Sequence, residues 1–314
     1  MPISSETAAE WGYVSGRCAA LERDLLDGAF FRDLADARDA AAAHSLLSKT
    51  RYAEVFPRPA SLESYDLALS GHLRKRLRSL ESDGPPGGPV EIVSREEELR
   101  GVHELLTRQG IARASAEEAE GWGERLGGGF PWLAGFSVPP GRRALFASQP
   151  VRALSLWVDA AFLREMRRLA AASPGLAPFL DARVSLSVLE VCWRAFRGGL
   201  GARWLDAFFF CDAVPAPPAA ALSAAAKSPA ALARLLGPAA FSPSMDDFEE
   251  TFGRQADDFL TRIARRGAYE VSGVGRVLYY VRRLRIEDSN LRLCIAAVIT
   301  PLERRQVKMR LRDV

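Results

Sequence analysis

The stretch VGRVLYYVRRLRIEDSNLRLCIAAVI, Val274–Ile299, decides the fold. Val274, Val277, Leu278, Val281, Leu284, Leu291, Ile295 and Val298 recur at intervals of three and four, the spacing that lines up one face of an α-helix. The spacing predicts one long amphipathic helix. Thr300-Pro301 ends it and opens another, which carries Arg304, Arg305, Lys308 and Arg310, with Thr300 and Glu303 spaced as a capping box. Glu287 and Asn290 are three apart and share a flank, and Arg283 stands one turn from Glu287, within reach of an ion pair. Asparagine is unfavourable inside a helix because its amide competes for backbone groups. Asn290 therefore calls for compensation, most simply a hydrogen bond to a neighbouring helix or its loop.

Working outward, the same signals recur. Ser94 with Glu97, Ser115 with Glu118 and Ser244 with Asp247 pair a short hydroxyl side chain with an acid three residues on, as helix starts do. Ser228-Pro229 adds a proline at a first helical position, where its missing N–H costs nothing. Strand-like alternation is weak and confined to residues 90–93 and 269–274. A first helix is expected over residues 7–26, with Val14, Cys18, Leu21 and Leu25 on one stripe and Asp27-Gly28 as its stop. A second amphipathic stretch, residues 30–47, ends near Thr50-Arg51-Tyr52. Pro/Gly clusters at 84–89 and 213–218, with a glycine-rich turn at 127–131, divide the rest. The reading is all-α, in three lobes over residues 1–88, 89–214 and 215–314. Two internal echoes suggest repeated helical units: residues 29–34 against 161–166, and Leu46-Leu47 through Tyr52 against Leu235-Leu236 through Phe241.

Composition sets the outer limits. The chain has 314 residues, 48% of them apolar and 26% charged, a globular balance that gives core enough for two or three compact units. A net charge of +3 is small for this length and does not mark the whole molecule as a binder of nucleic acid or membrane surface. Basic residues are nearly all arginine, the lysines being Lys49, Lys75, Lys227 and Lys308, which GC-rich coding explains without phosphate recognition. Cys18, Cys192, Cys211 and Cys294 are dispersed and read as small buried hydrophobes rather than a disulfide or zinc framework. Residues 1–10 lack the pattern of an export signal, and the longest apolar runs, 208–211 and 293–299, are far short of the ~20 residues that span a bilayer. A cytoplasmic location is expected, with membrane contact only through partners.

No catalytic, cofactor-binding or metal-ligating residue is expected. His44, His72 and His103 have no second ligand at metal spacing. Ser48-Lys49-Thr50 lacks the glycines of a phosphate loop, Gly127-Gly128-Gly129 lacks the lysine, and Gly198-Gly199-Leu200-Gly201 reads as a helix terminator. No serine sits in G-x-S-x-G. Asp246-Asp247 with Glu249-Glu250 reads as acids complementing a helix N-terminus. The ambiguous feature is the tail: residues 262–314 hold 13 Lys and Arg against 5 Asp and Glu, a local +8. That asymmetry suits a protein interface or solvated face ahead of nucleic acid, since no helix-turn-helix pattern or aromatic stacking motif accompanies it.

Two sets of residues carry a resemblance. Tyr13-Val14-x-x-Arg17-x-x-Ala20-Leu21-Glu22-x-x-Leu25-Leu26, followed by Leu47-x-x-Thr50-x-Tyr52, resembles the start of the C-type rotor subunits of V/A-type rotary ATPases, the d-type subunits of the eukaryotic V-ATPases. Tyr279-Tyr280 with Glu287-x-x-Asn290-Leu291-Arg292-x-x-Ile295, then Pro301-Leu302-Glu303 and Val307, resembles the closing helix pair of that family. Asp159, read as beginning a helix before Phe162, fits its middle repeat. Where the middle repeat of the family has Asp-x-x-Asn-Leu, this chain has Ser185-x-x-Val188-Leu189, keeping Leu189 and Arg194. The resemblance implies three similar helical lobes arranged as a funnel or socket. It implies a non-catalytic central-stalk component at the cytoplasmic face of the membrane, joining the proteolipid ring to the central shaft and binding no cofactor and no nucleic acid. Proton or sodium transport would then be linked to ATP hydrolysis or synthesis elsewhere in the complex. Read from the residues alone, the alternative is a helical scaffold or regulatory protein with a basic C-terminal face for protein or nucleic acid.

Overall fold

Asp27 sets the first chain reversal: its carboxylate accepts from the Phe30 amide at 2.8 Å and starts a helix where Asp27-Gly28 read as a stop. In the computed structural model, residues 5–56, 61–85, 88–108, 121, 125–133, 150–199, 219–244, 248–269, 273–300 and 302–314 are described. Among these there are twelve α-helices and no strand. They are α1 (Ser5–Leu21), α2 (Gly28–Ala35), α3 (Ala40–Leu47), α4 (Leu62–Glu81), α5 (Pro89–Arg108) and α6 (Pro150–Ala172). Then follow α7 (Ala177–Arg197), α8 (Ala219–Ala225), α9 (Pro229–Leu236), α10 (Phe248–Arg265), α11 (Val274–Ile299) and α12 (Arg304–Arg310). The long closing helix has the bounds its spacing predicts.

Several local expectations give way to stronger ones. The first helix stops at Leu21 and continues as a 3-10 turn, Glu22–Asp24. The expected helix over 30–47 is broken, because Asp39 caps α3 through the Ala42 amide at 2.8 Å. Ser94 caps nothing, since α5 already begins at Pro89. Thr300 closes α11, its hydroxyl donating to the Ala296 carbonyl at 2.5 Å, and α12 starts at Arg304 without a side-chain cap. The weak strand signal at 90–93 lies inside α5, and Asp159 lies inside α6 rather than at its start. Residues 125–129 are helical, so the turn expected at 127–131 reduces to the 3-10 turn Pro131–Leu133. Ser228-Pro229 begins α9 as expected. The pair Ser115 and Glu118, Asp247, Cys211 and the cluster 213–218 lie outside the described residues.

The chain forms two compact units, residues 1–93 with 246–314, and residues 94–245. In the first, α11 is the axis. One half of it, Val277, Tyr280, Val281 and Leu284, packs with Trp11, Val14 and Cys18 of α1, Leu73, Leu77 and Leu80 of α4, and Val90 and Val93. The other half, Leu291, Cys294 and Ile295, packs with Phe31, Leu34, Leu47, Tyr52, Phe56, Tyr65 and Leu69. Each such side chain contributes roughly 1.5–3 kcal/mol on burial, which is what fixes five helices around one. Near the start of α11, a Cβ on Gly267 would stand 2.4 Å from the Gly275 carbonyl carbon, so this approach requires glycine.

In the second unit α6 and α7 form an antiparallel hairpin across the 3-10 turn Pro174–Leu176, with Asp159 meeting Arg194 at 2.8 Å and Arg167 meeting Asp181 at 2.6 Å. Leu154, Val158, Leu163, Met166, Leu180, Val184 and Leu189 are buried, as is Val188 at the position where the expected family pattern has a polar residue. The echoed segments agree in burial at four apolar positions, Phe31 and Leu34 with Leu163 and Met166, and Leu47 and Tyr52 with Leu236 and Phe241, but differ at others: Ala29 and Asp33 are exposed where Ala161 and Glu165 are buried.

Candidate functional site

The first unit is also cross-linked by polar groups inside it. Glu287 has no solvent exposure, and its carboxylate collects three donors. The Leu26 amide, in the loop before α2, donates to Oε2 at 2.6 Å, and the Tyr52 hydroxyl donates to Oε1 at 2.6 Å. The Arg51 guanidinium, from the turn after α3, reaches the same Oε1. A carboxylate removed from water is tolerable only with a charge partner and hydrogen bonds of this kind. Arg283, the expected partner one turn away, pairs instead with Glu22 at 3.3 Å, alongside Arg276 at 3.5 Å. Burial, and then the Glu287 charge, push the Tyr52 phenol well above its ordinary value. The His72 ring lies 5.0 Å from that of Tyr52, and burial, reinforced by Arg76, Arg51 and Lys75, pushes its imidazole down to about 4.

Further along the same helix, Asn290 finds the compensation its position demands. Its Nδ2 donates to the Arg312 carbonyl at 3.0 Å, and its Oδ1 accepts from the Arg312 amide at 3.0 Å. Arg312 and Arg282 both hold the Asp257 carboxylate of α10. Burial alone would raise that carboxyl, but the two guanidiniums outweigh it and keep it well below the usual carboxylate range. Arg292 spans Asp288 at 2.8 Å, Ser70 of α4 at 2.9 Å, and Asp66. Arg17 of α1 donates to the Ser79 carbonyl at 2.9 Å, and Arg76 of α4 to the Tyr280 hydroxyl at 2.5 Å. Much of the basic tail is thus paired with acids: Arg276, Arg282, Arg283, Arg285, Arg292 and Arg312 form part-buried pairs, and Lys308 pairs with Asp36 at the surface.

The second unit brings together a constellation that no local pattern marks. His103 Nε2 is 2.9 Å from Asp159 Oδ1, and the Ser155 hydroxyl is 3.4 Å from His103 Nδ1. These are the side-chain types of a hydrolytic triad. Ser155, however, sits within α6, where the amides of its own turn serve the helix ladder rather than an oxyanion. Asp159 gives its second oxygen to Arg194. One carboxylate therefore ties α5, α6 and α7 together, as do Glu96 with Arg183 at 2.6 Å and Glu165 with Arg95 at 3.3 Å.

Among the described residues no group of three or more His, Cys, Asp or Glu is placed to hold a metal. Cys18, Cys192 and Cys294 are buried, their thiols pushed up to about 12 by burial, as small hydrophobes would be. The Ser48-Lys49-Thr50 segment is a turn in which the Thr50 hydroxyl donates to the Leu47 carbonyl at 2.7 Å, and Gly199, with φ of 78°, ends α7. No described helix is long and apolar enough to cross a membrane. No protein-family model matches the chain, and no curated protein matches it either.

Proposed function

We propose that the chain is a non-catalytic central-stalk rotor component of a V/A-type ATPase, coupling the membrane proteolipid ring to the central shaft. One observation carries the reading. The residues that resemble the two ends of that family lie more than two hundred positions apart, yet they meet: Tyr52 donates to Glu287, and Leu26 donates to the same carboxylate. A resemblance produced by chance in an Ala- and Leu-rich chain has no reason to select residues that bond to one another in the interior. A coupling must resist twisting, and close-packed helices cross-linked by buried ion pairs have the low compressibility that transmits strain. In this reading three similar lobes, over 1–88, 89–214 and 215–314, form a funnel or socket at the cytoplasmic face, and the ring supplies the membrane anchor.

Arg262, Arg265, Arg266, Arg304 and Arg305 remain exposed, which favours as second reading a scaffold or regulator with a basic face. The part-buried pairing of Arg276, Arg282, Arg283, Arg285, Arg292 and Arg312 with acids weighs against nucleic acid, because those guanidiniums are not available to phosphate. Affinity purification of the tagged chain from its native membranes separates the two. The rotor reading expects proteolipid and shaft proteins to co-purify; nucleic acid in their place, bound with steep salt dependence, would overturn it.

A further inference from the structure

Residues 311–314 follow α12 outside any helix, and Leu311 opens them in extended conformation, with φ of −61° and ψ of 134°. What holds them is a set of side chains. The Asn290 carboxamide gives both its donor and its acceptor to the backbone of Arg312, imitating the pairing of a neighbouring strand. The Asp313 amide donates to Asp258 Oδ1 at 2.9 Å, and the Arg312 side chain reaches the Asp257 carboxylate. Leu311 and Val314 pack on the apolar cluster at the far half of α11. This is the division of labour in recognition of an extended peptide: main-chain bonds supply affinity, and pockets for particular side chains supply specificity.

Part of the receptor side is held independently of the segment: Asp257 pairs with Arg282 of α11, and Asp258 lies 3.7 Å from Arg254 on its own helix. A site whose groups are fixed beforehand loses little on binding. We propose that the groove between α10 and α11 is a recognition site for an extended peptide arm of the form apolar–Arg–X–apolar on a partner protein, with Leu311, Arg312, Asp313 and Val314 as its resident, displaceable occupant. Asp257 selects the arginine, Asn290 fixes the backbone register, and the cluster around Leu291 and Ile295 takes the apolar flanks.

The test uses the full chain and a fluorescent peptide covering residues 309–314. Anisotropy should show saturable uptake, about tenfold tighter by R312A, whose own segment is weakened, than by the parent chain. A peptide with Ala at the arginine position, or a D257N chain, should bind about tenfold more weakly. If R312A does not fold, amide exchange in the parent chain decides: excess peptide should accelerate exchange at Arg312 and Asp313. No saturable uptake, equal binding of the Arg and Ala peptides, or exchange unmoved by peptide would each make the segment a fixed part of the fold. A concentration-dependent dimer that excludes the peptide would assign the groove to a second copy and overturn the partner.

Discussion

Removing a carboxylate from water costs several kcal/mol unless its partners are in place, and Glu287 draws those partners from two distant loops. Truncating it to Ala strands the Arg51 charge, so E287A should lose about 3–5 kcal/mol in urea unfolding. Y52F removes one bond to a charged group and should lose less, about 1.5–3 kcal/mol. The reverse order would show that Glu287 is incidental. His72 supplies a pH signature. Its imidazole titrates at about 4 when folded against 6.5 in the open chain, so below 6.5 the unfolded state takes a proton that the folded state refuses. Stability should fall as pH drops from 6.5 towards about 4, and H72Q should flatten that slope. Asp257 acts elsewhere: its depressed carboxyl contributes above its ordinary 3.8 and is lost only below it.

At the scale of elements, α11 carries the most weight because both apolar clusters and the buried polar groups of the first unit converge on it. V281P removes a ladder bond and clashes with the preceding turn in its centre, and should cost about 3 kcal/mol or more by thermal unfolding. G267A forces a methyl against the Gly275 backbone and should cost about 1–3 kcal/mol; unchanged stability would deny that close approach. The bounds of α11 and the need of Asn290 for a partner were legible in the sequence, since periodicity and the cost of an internal asparagine are local facts. Its ion pairs were not. Arg283 is correctly spaced for Glu287, but burial of the carboxylate hands it to Arg51 and Tyr52, which spacing along one helix cannot reveal. Ser94 fits a capping pattern and caps nothing because Pro89 starts the helix first. His103, Ser155 and Asp159 stand on two helices, and their meeting depends on how those helices pack.

At the scale of the molecule, the first unit is assembled from both ends of the sequence. A chain ending before residue 246 lacks α10, α11 and α12, and with them about a third of each apolar cluster around Trp11 and Phe31. Cys18, buried and inert in the full chain, should then react rapidly with a thiol reagent, as site-resolved mass spectrometry would read; continued protection would mean that the unit does not need its C-terminal half. Such closure through buried charge suits the proposed role, in which the chain passes torque between shaft and ring. The most direct measurement is ATP-driven ion uptake by membrane vesicles depleted of the chain and then resupplied with it. Coupling predicts that uptake is lost on depletion while ATP hydrolysis continues, and that it returns with the purified chain; uptake unaffected by depletion would contradict the claim.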